Sequence, residues 1–254
     1  MNNSVSIVTG ASRGIGRAIV KGLSKDTHIL AVARNFRDLP SLQDEIIDGN
    51  FRHKIESIIG DVSNPKTALR VIRMAVTNNW KIKNLICNAG IGTSGATHNL
   101  DFKEWQKIFD VNVNGCFHFV RACLPSMLEQ GFGNICIMSS TAGLKGYSHN
   151  AAYVASKHAL VGFAKALAIE YGKYGITVVP ICPGFVESDM TTRTINGVAN
   201  RRNISYQEAR VIVEKVNPQK RILAQQEIVE AVKFICSGNA RALSGNPLIL
   251  SGGE

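Results

Sequence analysis

Short runs of β-branched and apolar residues recur along this chain, each followed by a longer helical pattern. The runs fall at 5–9, 28–33, 55–60, 84–87, 134–139 and 177–181, with a further short one at 247–250. Strict polar–apolar alternation is missing from them, which suits strands covered on both faces. Helical patterns occupy 14–25, 38–48, 65–80, 101–129, 151–173 and 226–237. Repeated β-α-β units require parallel pairing, with right-handed crossovers that place helices on both sides of the sheet. The expected class is therefore α/β, a doubly wound parallel sheet. No internal repeat, linker or low-complexity tract divides the 254 residues, so one domain over 1–254 is expected.

Composition removes several alternatives. At 45% hydrophobic and 19% charged residues, the chain is neither disordered nor fibrous. No apolar run reaches the ~18 residues of a membrane helix. The start, Met1-Asn2-Asn3-Ser4, lacks the pattern of a signal peptide or an Arg-rich presequence. Six cysteines form no C-x-x-C pair and lie mostly in apolar stretches, which argues against zinc or disulfides. They read as reduced core thiols of a cytoplasmic protein, and no metal site is expected. The net charge of +10 points to anionic partners such as nucleotides or acyl carriers. Nucleic acid fits poorly, because no aromatic residues interleave the basic stretch and no nucleic-acid module is evident.

The first strand runs into Thr9-Gly10-Ala11-Ser12-Arg13-Gly14-Ile15-Gly16, and a helix follows. Glycines there permit a tight turn and close approach of backbone to a pyrophosphate, while the helix N-terminus supplies free N–H groups and a positive dipole. An ordinary strand-to-helix turn is the plainer alternative. The next strand distinguishes the nucleotides. An acid at its end would bind a ribose 2′-OH, but here it ends Ala31-Val32-Ala33-Arg34-Asn35, with no acid before Asp38. Arg34, joined by Arg13, can pair with a 2′-phosphate, because a guanidinium fork matches phosphate oxygens. The expected cofactor is NADP(H), with a solvated loop charge as the alternative for Arg34.

Tyr153 and Lys157 stand at i and i+4, so on a helix they share a face. A phenol with a pKa near ~10 is a poor acid–base group at neutral pH, and a neighbouring ammonium favours its phenolate. A surface contact is the bland alternative. Ser139-Ser140 ends one expected strand and Asn88-Ala89-Gly90 another. Asn112, in the apolar segment Val111-Asn112-Val113, needs a partner for its amide and reads as a structural hydrogen bonder or part of a relay.

Together these residues resemble the short-chain dehydrogenase/reductase family over essentially the whole chain. The resemblance rests on Thr9–Gly16, Asp61-Val62, Asn88-Ala89-Gly90, Asn112, Ser140, Tyr153-x-x-x-Lys157 and Pro183-Gly184. Each motif is weak alone, whereas seven in the family's order and spacing are specific. The resemblance implies a Rossmann sheet of about seven strands ordered 3-2-1-4-5-6-7, and a homotetramer packed through 101–129 and 151–173. It implies a cofactor loop of Gly10, Ser12, Arg13, Gly14, Ile15 and Gly16, and an adenine pocket at Asp61 and Val62 supported by Asn88, Ala89 and Gly90. Tyr153 would protonate a carbonyl oxygen that Ser140 holds. Lys157 would lower the tyrosine pKa and bind the nicotinamide ribose, and Asn112 would hold a water leading to solvent. Pro183, Gly184 and Val186 would frame the nicotinamide, with Ser188 where the family often has threonine. Ser140 is preferred over Ser139 because its thirteen-residue interval to Tyr153 fits the family.

The likeness extends furthest toward reductases of 3-oxoacyl thioesters, in Gly10–Arg17, in Ile181–Met190 and in the ending from Ser244. Residues 190–221 hold seven basic and two acidic side chains, a net +5, where the family has its mobile substrate lid, here placed at about 188–221. A basic lid suits a CoA ester or an acyl carrier protein, while an exposed helix pair coated with charge is the alternative. Carrier-protein reductases often have arginines at positions that here are Gly131 and Tyr174, with Lys173 beside the second. Lys145 and Tyr147 are expected near the substrate. An NADP(H)-linked alcohol or polyol dehydrogenase and a catalytically silent nucleotide sensor are the competing readings.

Overall fold

The structure, a computed structural model, describes residues 3–35 and 54–254, and the helical pattern expected at 38–48 lies outside them. Seven strands form one sheet: β1 (Ser4–Thr9), β2 (His28–Ala33), β3 (Ile55–Ile59), β4 (Lys81–Cys87), β5 (Gly133–Met138), β6 (Ile176–Pro183) and β7 (Leu248–Leu250). Their order is β3-β2-β1-β4-β5-β6-β7, and every pairing is parallel. This is the doubly wound Rossmann arrangement expected from the sequence. β1 lies between β2 and β4, so the connections leave in opposite directions there and open a crevice at the strands' carboxyl ends.

Eight α-helices lie among the described residues: α1 (Gly14–Leu23), α2 (Pro65–Thr77), α3 (Phe102–Phe109), α4 (Gly115–Gln130), α5 (Ala151–Tyr171), α6 (Asp189–Arg202), α7 (Tyr206–Glu214) and α8 (Gln225–Cys236). Successive strand residues point to opposite faces. Val8, Ile29, Ala31 and Val179 meet Ile19, Val20, Ile228 and Val232 of α1 and α8 on one side. Ile7, Leu30, Val32 and Val178 meet Val71 of α2, Phe119 of α4 and Leu160 of α5 on the other. Both strand faces are buried, which explains the missing polar alternation. In the middle of the sheet, Asn134 Nδ2 donates to Asn84 Oδ1 at 2.9 Å and Asn84 Nδ2 donates to Ser6 Oγ at 2.8 Å. That buried ladder ties β5, β4 and β1 together.

The segment 101–129 is not one helix. Between α3 and α4 lies a single π-helical turn, Asp110–Asn114, where the Gly115 N–H donates to the Asp110 carbonyl. The extra residue of such a turn shifts the helical phase, which periodicity over a whole segment does not reveal. The basic segment forms α6 and α7, which enclose a small apolar cluster of Ile195, Ala199, Ala209, Val213 and Ile222. All six cysteines are buried free thiols. No helix among the described residues is long and apolar enough to cross a membrane.

Candidate active site

At the end of β1, the Thr9 hydroxyl accepts from the N–H groups of Asn88 and Ala89, both at 3.0 Å. Asn88 Nδ2 donates back to the carbonyls of Thr9 at 3.0 Å and Gly10 at 3.2 Å. The ends of β1 and β4 are thereby latched, and the glycine loop is pinned where it turns. Gly10 has φ +66°, in the left-handed region that favours glycine. A Cβ on Gly16 would lie 2.1 Å from the Gly10 carbonyl oxygen, so no side chain fits there. The loop leads into α1, whose N-cap position, Arg13, makes no side-chain capping bond, and the first turn holds no acid. The initial N–H groups of α1 are left for an anion.

At the end of β2, Arg34 Nη1 lies 4.0 Å from Asp61 Oδ2, and both side chains are substantially exposed. Partial burial pushes the Asp61 carboxyl up, but hydrogen bonds from Ser63 and the nearby Arg34 outweigh it, leaving the group below its ordinary value. Val62 is buried against Gly115 of α4. Arg13 pairs with Asp189, the first residue of α6, at 3.2 Å.

At the far end of the same crevice, Ser140 leaves β5 and caps a 3₁₀ turn at Thr141–Gly143. Its hydroxyl donates to the Pro183 carbonyl at 3.3 Å and accepts from the Ala142 N–H at 3.1 Å. Ser139 points the other way and donates to the Lys157 carbonyl at 2.9 Å. Of the two serines, Ser140 is the one that faces Tyr153, which projects from the first turn of α5. Burial pushes the Tyr153 phenol up to about 12, and its hydrogen bond with Ser140 works in the opposite direction. Lys157, one turn on, is buried and donates to the Met138 carbonyl at 2.7 Å. Burial holds its ammonium down to about 8. Its Nζ stands 5.5 Å from the Tyr153 ring centroid. Desolvation is the largest influence on the phenol, ahead of its hydrogen bond with Ser140.

Asn112 sits in the π-helical turn and is almost wholly buried. Its Oδ1 accepts from the Ile91 N–H at 2.8 Å, and its Nδ2 donates to the Ile91 carbonyl and to Ser156 Oγ, both at 2.9 Å. These bonds tie the amide to Ile91 and to Ser156 of α5. A Cβ on Gly90 would lie 3.5 Å from both Asn112 Oδ1 and Lys157 Nζ, so the two groups stand together behind that glycine.

One continuous cleft of about 710 Å³ joins these parts. It runs from Arg34, Asp61 and Val62 past Gly10, Ser12, Arg13, Gly14, Ile15 and Gly16. It continues by Asn88, Ala89 and Gly90 to Ser140, Tyr153 and Lys157. Pro183, Gly184, Val186 and Ser188 form the opposite wall, and Ser188 caps α6 by accepting from the Thr191 N–H at 3.3 Å. Of the residues singled out from the sequence for this site, Asn112 and Lys145 stand outside the lining.

The sequence profile described as short chain dehydrogenase matches residues 4–198. The chain belongs to the short-chain dehydrogenase/reductase family. It is an oxidoreductase by that membership. It is 30% identical over 250 residues to the 3-oxoacyl-[acyl-carrier-protein] reductase FabG of Escherichia coli, covering 98% of this chain and 96% of that protein. It is 29% identical over 254 residues to the D-beta-hydroxybutyrate dehydrogenase of Cupriavidus necator, covering 100% of this chain and 98% of that one. The crystal structure of a variant actinorhodin polyketide ketoreductase with NADPH superposes with a TM-score of 0.92 at 30% identity, covering 98% of this chain and 96% of that chain.

In this short-chain dehydrogenase/reductase, several site residues carried no sequence signal. Ser156 lies 44 positions from the Asn112 it bonds, and Ile91 lies 21 away. Lys145 and Tyr147 converge on the buried Glu254 carboxylate: Lys145 Nζ lies 2.8 Å from Oε1, and the Tyr147 hydroxyl donates to the same oxygen. Thr141 Oγ1 and the Tyr147 hydroxyl are 2.8 Å apart. Spacing alone does not place residue 254 against residue 147. The nearness follows from β7 lying beside β6.

Proposed function

We propose that this protein is an NADPH-dependent reductase of ketones, and that 3-oxoacyl thioesters, carried on CoA or acyl carrier protein, are its substrates. The observation that carries the reading is the single cleft with an uncapped helix N-terminus and Arg34 at one end and Ser140, Tyr153 and Lys157 at the other. The chain fits a dinucleotide on its own geometry. A Cβ on Gly16 would strike the Gly10 carbonyl, so α1 packs closely on the loop, and the first residues of α1, whose N–H groups suit a pyrophosphate, line the cleft. Arg34 and Arg13 are the groups for a 2′-phosphate, with Asp61 and Val62 beside the adenine. Pro183, Gly184, Val186 and Ser188 bound the nicotinamide end.

When bound, the reduced nicotinamide supplies hydride to the carbonyl carbon. Ser140 Oγ holds the carbonyl oxygen by a hydrogen bond. The Tyr153 hydroxyl, kept protonated by burial, gives its proton to that oxygen as negative charge develops there. Lys157, fixed on the Met138 carbonyl, holds positive charge behind the phenol and offers donors to a ribose. Asn112 is a positioning residue: it ties Ser156 of α5 to Ile91 and so fixes the backbone carrying Tyr153 and Lys157.

The experiment is the initial rate of acetoacetyl-CoA reduction, followed by loss of NADPH absorbance, with NADH in parallel. Turnover with NADPH and much slower turnover with NADH is the expected result. Equal use of both overturns the Arg34 reading, and no turnover with either overturns the thioester reading. The similarity to a D-beta-hydroxybutyrate dehydrogenase favours a second reading, oxidation of a hydroxy acid or alcohol by the same residues run backward. Rates of D-3-hydroxybutyrate oxidation by NADP⁺ against acetoacetyl-CoA reduction separate the two. The rest of the proposal concerns assembly. Exposed Phe117 and Ile169, on α4 and α5, lie on the faces through which a homotetramer would pack, in one 254-residue domain.

A further inference from the structure

The arginines of the basic segment fall into two sets. Arg210 is bonded by Glu187 and Glu214, and Arg221 forms a bidentate pair with Glu227 at 2.6 and 2.7 Å. Arg13 takes Asp189 at the start of α6. The carboxylates nearest the base of α6 are thereby engaged. Arg193, Arg201 and Arg202, in contrast, have no carboxylate within 4.0 Å among the described residues, and of these Arg193 and Arg201 line the cleft. They are two turns apart on α6, with Gly197 midway and also in the cleft wall. Positions i, i+4 and i+8 lie along one side of a helix. The Arg201 guanidinium folds back over Gly197: its Nη1 lies 3.4 Å from where a Cβ at that position would stand. A side chain at 197 would crowd it.

Neither guanidinium is paired with a carboxylate, so both are open to an anion. They are not needed to hold α6 in place, which Ile195 and Ala199 do through the apolar cluster beneath. They follow Ser188 and Asp189, which lie against Gly14 and Arg13 of the glycine loop, and they continue the same wall of the cleft.

We infer that Arg193 and Arg201 of α6 form a docking pair for a phosphate group on the substrate, the phosphate at the end of a phosphopantetheine arm. The inference rests on the thioester reading above and deepens it. A guanidinium fork gives two parallel donors to phosphate oxygens, and Gly197 leaves the helix bare between the two forks. The arm phosphate is common to CoA and to a loaded acyl carrier protein, so one pair of side chains serves either carrier. The pair draws anionic substrates to the open mouth of the cleft, and its contribution is screened by salt.

The test titrates the NADPH-saturated protein with CoA, 4′-phosphopantetheine and pantetheine, for the wild type and for Arg193→Gln/Arg201→Gln. Both arginines are exposed and unpaired, so the variant retains its fold, which its thermal unfolding midpoint checks. The expected result is that phosphopantetheine and CoA bind the wild type about tenfold more tightly than pantetheine, and that the advantage disappears in the double variant. NADPH affinity, read in the same experiment, stays the same. An advantage that survives in the variant overturns the inference, as does an advantage confined to CoA, which would assign the binding to its ribose phosphate. A fall in NADPH affinity also overturns it, because the arginines would then belong to the cofactor. Arginine-dependent binding of phosphopantetheine without reduction of acetoacetyl-CoA leaves the docking pair standing and overturns thioester reduction.

Discussion

At the glycine-loop end of the cleft, Thr9, Gly10, Gly16 and Asn88 are held by hydrogen bonds between strand ends and by contacts that admit no Cβ. At the α6 end, the wall is a helix pair resting on five apolar side chains and anchored by ion pairs that face solvent. The first end is fixed by backbone geometry, which few residue types satisfy. The second is fixed by side chains with exposed heads, where many sequences would do. A dinucleotide has the same pyrophosphate in every relative, whereas the carbonyl substrate varies. Rigid recognition at one end and replaceable recognition at the other is what the two constructions provide.

The contrast can be broken most strongly at Tyr153, the proposed acid between the two ends. Tyr153→Phe removes the hydroxyl alone, and turnover is expected to fall about a thousandfold while NADPH still binds. Retained turnover would show that another group is the acid, and an intact NADPH-driven response without turnover in the wild type would identify a sensor. Next is Gly16→Ala. Its Cβ would collide with the Gly10 carbonyl, so NADPH affinity should drop about a hundredfold, with a stability loss of about 2 kcal/mol by chemical denaturation. Unchanged NADPH affinity would refute the rigid account of that end.

Lys157 links the site to pH. Its folded pKa of about 8 lies below the ordinary 10.5, so the unfolded chain binds more protons between those values. Stability from this group therefore rises with pH across that window and is lowest below it. Lys157→Met should stabilise the protein by about 2 kcal/mol at pH 7, with the advantage gone near pH 10.5. Reduction by the wild type should weaken above about pH 8, as the ammonium loses its charge, which a kcat/KM profile over pH 6–10 checks. The smallest effect is expected at the exposed end. Arg210→Ala should cost under about 1 kcal/mol of stability, because its partners are reached through solvent. A larger loss would mean that the α6 wall is built as tightly as the loop.

The same contrast decides what the sequence disclosed. The runs at 28–33 and 134–139 showed their strands because residues buried on both faces must be apolar. Thr9–Gly16 showed the loop because its steric demands admit glycine and little else. Ser140 could be separated from Ser139 only by its interval to Tyr153, since both are small polar residues at one strand end. The π-helical turn around Asn112 was hidden inside a pattern read as one helix over 101–129. The partners of Asn112, Ile91 and Ser156, are brought to it by the sheet order and not by any local spacing. Over 190–221, which forms α6, α7 and the chain beyond, the sequence showed seven basic residues but not which had carboxylates beside them. That separation, with Arg210 and Arg221 paired and Arg193 and Arg201 free to face the cleft, arises only from tertiary packing.

The most direct measurement of the central claim is isotope transfer. The protein is incubated with acetoacetyl-CoA and NADPH deuterated at the transferable position of the nicotinamide, and the product is examined by mass spectrometry. One deuterium on the carbinol carbon of 3-hydroxybutyryl-CoA, formed by the wild type and absent with Tyr153→Phe, is the predicted result. Undeuterated product, or unreacted acetoacetyl-CoA beside protein that binds NADPH, would contradict it.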